Sequence, residues 1–388
     1  MSDWQRGEKI AAVTLLITIV SCLAALAVVP EIRRILGLEG HSPLPEPSQS
    51  GLGSNTSEPP LSTESTAPEP PPMTQSEAAV VPFTLQRRIA VPAYLLEAIT
   101  FSPDGRTLIT GGTSNDIKFW DIQSGTLQHS LQGPSREGSS LAFLPHSTVL
   151  LVGGDSGLGF WDTQTEKFVR VLKGSRYGLV SIDFYPNEEE VVTASGFHDK
   201  TAKVRDFKTW NVRRELVGHA EGISCVRVSA DGKLIATGSW DKTVKLWDAL
   251  DGTLKFTLTG SSDAILSVAF SLDSKMVAAA GDEVVRLWAT QSGTLVRELR
   301  GHAKSIGSVV FSSSGKEIIS ASYDGTIKIW NAQTGDLIAT LAQQESQERW
   351  LADFPELILS PDGKILAAIY SYLKDGQYYN SVNVWAAK

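Results

Sequence analysis

The stretch HAEGISCVRVSADGKLIATGSWDKTVKLWD, residues 219–248, reads as three short strands joined by polar turns. Ile223, Cys225 and Val228 mark the first strand, and Leu234, Ile235 and Ala236 the core of the second. KTVKLWD at 242–248 is the third, and it ends in Trp-Asp. The alternation of apolar and polar residues is that of a packed sheet. The turn VSADG at 228–232 has counterparts in FSPDG at 101–105 and LSPDG at 359–363. These turns use Pro, Asp and Gly where a tight reversal requires them.

The unit recurs along the chain. GTIKIWN at 325–331 is a second plain copy of the third strand, and NDIKFWD at 115–121, SGLGFWD at 156–162 and DEVVRLWA at 282–289 are variants. KTAKVRD at 200–206 and NSVNVWA at 380–386 are more degenerate. The anchoring residues are Trp120, Trp161, Arg205, Trp247, Trp288, Trp330 and Trp385, spaced by 41, 44, 42, 41, 42 and 55. A period of about 40–45 residues with four short strands per unit is the signature of a propeller.

Several motifs in register resemble the WD-repeat family over residues 83–388. The resemblance implies an all-β chain with a seven-bladed WD-repeat β-propeller. Its repeats fall near 95–133, 137–174, 177–218, 222–260, 263–301, 305–341 and 355–388. The seventh unit stops after its Trp and lacks an outer strand. FTLQRRI at 83–89 looks like the outer-strand segment GTLQHSL at 125–131. Residues 83–90 are therefore predicted to supply the fourth strand of the last blade and to close the ring, which removes an open edge.

Ahead of the propeller the reading gives an N-terminal stub at 1–9, a transmembrane helix at 10–30 and a disordered Pro/Ser/Thr/Glu-rich linker at 31–82. Residues 10–29 carry no charge, and about 20 apolar residues cross a bilayer core. A cleaved signal ending near Ala25-Leu26-Ala27 competes with a retained anchor, and the lipobox-like run before Cys22 offers a third reading. Run length and flanks favour the anchor. Arg6 and Lys9 balance Arg33 and Arg34, so the charge rule is a tie. The absence of Lys and Arg between Arg34 and Arg87 favours an extracytoplasmic propeller. The linker lacks hydrophobic periodicity, and its prolines make it a semi-stiff spacer.

A net charge of −8 disfavours nucleic acid as a partner. Cys22 and Cys225 fall in different units, and no Cys/His cluster has metal spacing. No phosphate loop, nucleophile elbow or metalloprotease helix occurs. His219, Ser239 and Asp241 in one repeat, and His302, Ser322 and Asp324 in another, invite a catalytic-triad reading. The family resemblance implies instead a buried hydrogen-bond network, completed by Trp247 and Trp330. Two copies in register favour architecture over catalysis. Arg205, which replaces a Trp, is either a buried cation in a network or a side chain projecting from a strand end.

The resemblance also implies that partners bind the face bearing the turns before each Trp strand. Trp240 and Tyr323 precede the network Asp in those turns, and Phe197 lies in a longer version of one. Two insertions, 342–356 with Trp350 and 370–380 with four tyrosines, either bind partners or cap the fold locally. The function expected is a membrane-tethered protein–protein interaction scaffold. It is expected to be no enzyme, to need no cofactor or metal, to bind other proteins, and to meet the membrane through residues 10–30. The alternative is a secreted or periplasmic propeller acting as an assembly factor or as a ligand-binding or hydrolytic protein.

Overall fold

The computed structural model describes residues 83–388 apart from 93–95, 113–115, 133–139, 145–146, 155–156, 174–178, 188, 195–198, 343–348, 351–355 and 375–376. The expected membrane segment at 10–30 and linker at 31–82 lie outside the described residues. Seven antiparallel sheets, arranged as blades, make an all-β propeller. Blades 1 to 6 occupy residues 96–132, 140–173, 181–217, 223–258, 267–300 and 306–342, with four strands each in sequential order. The first strands of neighbouring blades contact one another and form the inner ring.

Blade 7 is closed by the N-terminal strand. Phe83–Val91 pairs antiparallel with Gln377–Ala387, from Phe83 opposite Ala387 to Val91 opposite Asn380. The strand also buries side chains. Ile89 and Val91 are 2% and 3% exposed, in the cluster shared with Leu96, Phe101 and Trp120 of blade 1. Phe83 enters the cluster between blades 6 and 7. Each of the seven apolar clusters lies between two blades, so the core is distributed over seven seams.

Local chemistry sets each reversal between the first and second strands. In blade 4, the Ser229 hydroxyl donates to Asp231 Oδ1 at 2.6 Å and accepts the Leu234 N–H at 2.9 Å. Gly232, at φ 69°, supplies the left-handed residue that lets its N–H reach the Ser229 carbonyl. Ser360, Asp362 and Gly363 build the same turn in blade 7.

Side chains also bridge seams near the axis. Ser181 Oγ accepts the Val226 N–H of the next blade at 3.1 Å, and Ser267 Oγ accepts that of Val309 at 3.2 Å. At the closing seam this position holds Glu356, whose carboxylate accepts the Ile99 N–H at 2.8 Å. Burial pushes the Glu356 carboxyl up to about 7, against the opposing pull of the Ile99 N–H and Arg227.

Two predictions follow from the closing seam. Deleting 83–90 removes Phe83 and Ile89 from two seams, a loss of about 3–6 kcal/mol, and is expected to lower the melting temperature by about 10 °C or more. An unchanged melting temperature would contradict closure by this strand. A carboxyl raised in the fold favours the folded state below its unfolded value near 4.5 and loses that contribution as pH rises through about 7. Stability is therefore expected to fall across that window, and Glu356→Gln to flatten the fall; parallel pH profiles for both chains would rule this out.

Candidate functional site

The turns between second and third strands share one face of the propeller with the turns that lead into each blade. In blade 4, His219 and Asp241 come from these two turns. His219 Nδ1 and Asp241 Oδ2 are 2.7 Å apart, and His219 Nε2 lies 2.7 Å from Thr237 Oγ1. The Trp247 indole N–H donates to the same Thr237 oxygen at 2.9 Å. Burial, outweighing the bond to Asp241, holds His219 below the ordinary histidine range. A neutral ring bonded to a carboxylate keeps its proton on Nδ1. Nε2 therefore accepts the Thr237 hydroxyl proton, and the Thr237 oxygen accepts from the indole. Every proton in the chain has one place.

Blade 6 repeats the arrangement. His302 Nδ1 is 2.8 Å from Asp324 Oδ2, and Ser320 Oγ lies 2.8 Å from His302 Nε2 and 2.9 Å from Trp330 Nε1. Burial works against ionisation of Asp324, but bonds from His302, Thr326 and the Ala303 N–H hold it well below the usual carboxylate range. Asp241 is held low in the same way by Thr243, the Ala220 N–H and His219 against its own burial.

Ser239 and Ser322 occupy a different place from the one expected of them. Trp247 pairs with Ile235 across the ladder, so Thr237 is its diagonal neighbour, whereas Ser239 stands about 7 Å further along the strand. The Ser239 hydroxyl instead donates to the Gly222 carbonyl at 2.8 Å and accepts the Asp241 N–H at 3.1 Å. Ser322 does the same with Ser305 and Asp324. Both serines fasten the turn to the leading loop rather than joining His to Trp. Thr237 and Ser320 went unnoticed in the sequence; the signal for them is a hydroxyl diagonal to the motif Trp. Thr110 in blade 1 fits it, accepting from Trp120 Nε1 at 3.0 Å.

The remaining blades depart from this chain. In blade 2 the diagonal residue is Val152, and the buried Trp161 Nε1 has no hydrogen-bond partner among the described residues. In blade 3, Arg205 is a half-buried cation in a network. It donates to Thr193 Oγ1 at 3.3 Å and the Trp210 carbonyl at 3.2 Å, and lies 5.4 Å from the Trp210 ring. In blade 5, Arg286 bonds Asp282 at 2.8 Å and Glu298 at 3.1 Å, replacing the histidine by a buried Arg–Asp pair that reaches an exposed Glu298.

Thr237 and Ser320 are 0% exposed, so neither hydroxyl can meet a substrate carbonyl. The networks hold turns. Immediately before each network Asp, Trp240 and Tyr323 are half-buried, their N–H groups donating to Gly222 and Ser305 carbonyls at 3.0 Å. The hairpin of Ile365–Lys374 and Gln377–Ala387 runs four residue pairs past Tyr370–Ser381 on this same face. The Tyr370 hydroxyl donates to the Gly325 carbonyl at 3.4 Å, fastening the hairpin to the Tyr323 turn. Tyr379 is 39% exposed on the projecting part, and Trp350 pairs with Tyr372 beside it. Phe197 lies outside the described residues. Among the described residues no group of three His, Cys, Asp or Glu could hold a metal ion.

The family model described as WD domain, G-beta repeat, matches residues 94–121, 210–248, 252–289 and 293–331. The chain is 30% identical over 142 residues to the WD repeat-containing protein WDS homolog of Arabidopsis thaliana, covering 35% of this chain and 26% of the relative. It is 30% identical over 129 residues to Protein groucho of Drosophila melanogaster, covering 32% and 17%. It is 28% identical over 149 residues to Cell division cycle 20.1, cofactor of APC complex, of Arabidopsis thaliana, covering 36% and 32%. The matched stretches thus span about a third or less of these relatives' lengths.

Replacing Thr237 by Val takes the hydroxyl from His219 Nε2 and Trp247 Nε1, both buried, and is expected to lower stability by about 2–4 kcal/mol in chemical denaturation. Ser239→Ala is expected to lower it by about 1 kcal/mol. Equal losses would refute the distinct roles of the two hydroxyls.

Proposed function

Because this chain is a WD-repeat β-propeller, we propose that it works as a protein-interaction scaffold that docks partners on the face carrying Trp240 and Tyr323. The observation that carries this reading is the setting of those two aromatics. Each sits directly before the Asp of a His–Asp network, in a turn fixed from below. A rigid aromatic in a polar turn gives large contact area and loses little freedom on binding. The projecting hairpin with Tyr379 enlarges the same surface. Likeness to a protein named as a cofactor of the APC complex supports a role through other proteins. The enclosure of Thr237 and Ser320 supports a non-catalytic role for the networks.

The proposal extends to a membrane tether. Residues 10–29 are uncharged and long enough to span, and residues 31–82 would hold the propeller off the bilayer on the extracytoplasmic side.

The combined variant Trp240→Ala and Tyr323→Ala is expected to lose its co-purifying proteins at least about tenfold while melting as the parent does. An unaltered partner set would refute this docking face. On fractionation the chain is expected with membranes, with its mature N-terminus ahead of Val28; a soluble form beginning near Val28 would refute the tether.

A further inference from the structure

The outermost strand of blade 2, Lys167–Lys173, differs from its six counterparts. Each outermost strand has one bulged residue opposite the motif Trp or Arg. These are Gln86, Gln128, Arg213, Lys255, Val296 and Ile338 elsewhere, and Val169 in blade 2. Each also has a residue opposite the position two before that Trp or Arg. There the other blades place Arg88, Ser130, Glu215, Thr257, Glu298 and Thr340, all polar. Blade 2 places Val171, and is alone in having apolar side chains at both positions.

The partner across the ladder differs as well. Lys245 donates to Thr257 at 2.8 Å, Lys328 to Thr340 at 3.1 Å, and Arg286 to Glu298 at 3.1 Å. In blade 2 this cation is replaced by Gly159, which has no side chain to cover Val171. Leu172 packs inward, and Arg170 lies 4.6 Å from the Phe160 ring. Phe168, Val169 and Val171 remain 42%, 56% and 41% exposed. The far edge of the strand pairs with no other strand among the described residues.

We infer that this edge takes an extended segment of a partner protein in which apolar residues alternate with Asp or Glu, added to blade 2 as a fifth strand. A free strand edge supplies main-chain donors and acceptors, and alternate side chains supply selectivity. Charge selects the occupant. Residues 167–173 hold Lys167, Arg170 and Lys173 and no acidic residue, within a chain of net charge −8. A second copy is a poor occupant, because antiparallel self-pairing centred on Arg170 sets Lys167 against Lys173. The Pro-rich residues 31–82 are poor as well, since proline lacks the donor that a ladder needs. The surface lies on a different blade from Trp240 and Tyr323, so it stands or falls separately from that docking face.

The test uses the full chain and a fluorescein-labelled peptide of alternating Glu and Val, with a Lys-and-Val peptide as control, read by fluorescence anisotropy at low and high salt. Saturable binding of the acidic peptide is expected, weakened at high salt and lost at least about tenfold in Val171→Glu. Val171→Thr, which keeps the branched strand-forming shape, is expected to weaken binding by about threefold or more at an unchanged melting temperature. Trp240→Ala is expected to leave it intact. Equal binding of both peptides, no binding of either, or undiminished binding by both Val171 variants would overturn the inference. A dimer that Val171→Glu dissolves would assign the edge to a second copy and overturn it equally.

Discussion

Every blade is a sheet of four strands, or five in blade 7, with apolar residues on both of its faces, and neither face can be left in water. Leu246 and Trp247 of one strand show the problem: they point to opposite faces and serve different clusters. An open row of such sheets would always leave two faces bare. A ring leaves none, which is why the core is divided among seven seams and why closure matters more than any single contact. The terminal strand, the seam serines and Glu356 all serve that requirement.

The His–Asp networks answer a narrower need. A strand hairpin that projects beyond the apolar seam has little burial to hold it. In blades 4 and 6 the indole, hydroxyl, imidazole and carboxylate form one fully satisfied chain from the core to the turn. Blade 5 reaches the same end with Asp282 and Arg286, and blade 3 with Arg205 above Trp210. The carboxylate at the turn is kept more faithfully than the histidine, because it is the group that accepts the backbone N–H donors of both loops.

The fold was legible because strand period, turn chemistry and repeat length all agree, and agreement across levels is what a unique fold requires. The closing strand was legible from the outer strand missing in the seventh unit and from likeness to another outer strand. The site was only partly so. His219, Asp241 and Trp247 stand out as unusual residue types at repeating positions, but Thr237 is an ordinary strand residue until the ladder register places it beside the indole. Ser239 entered the expected network through the family resemblance, whereas its register places it at the turn. The cation in blade 5 was hidden for a related reason: Arg286 acts on Glu298 twelve residues away, through a pairing that only the sheet creates.

The pairing of Phe83 with Ala387 brings the two ends of the described chain to one corner of one blade. Both covalent exits therefore occupy a single angular sector of the disc. Among the described residues no other blade carries a chain end, so a single blade bears both the closure of the ring and the two ends of the described chain.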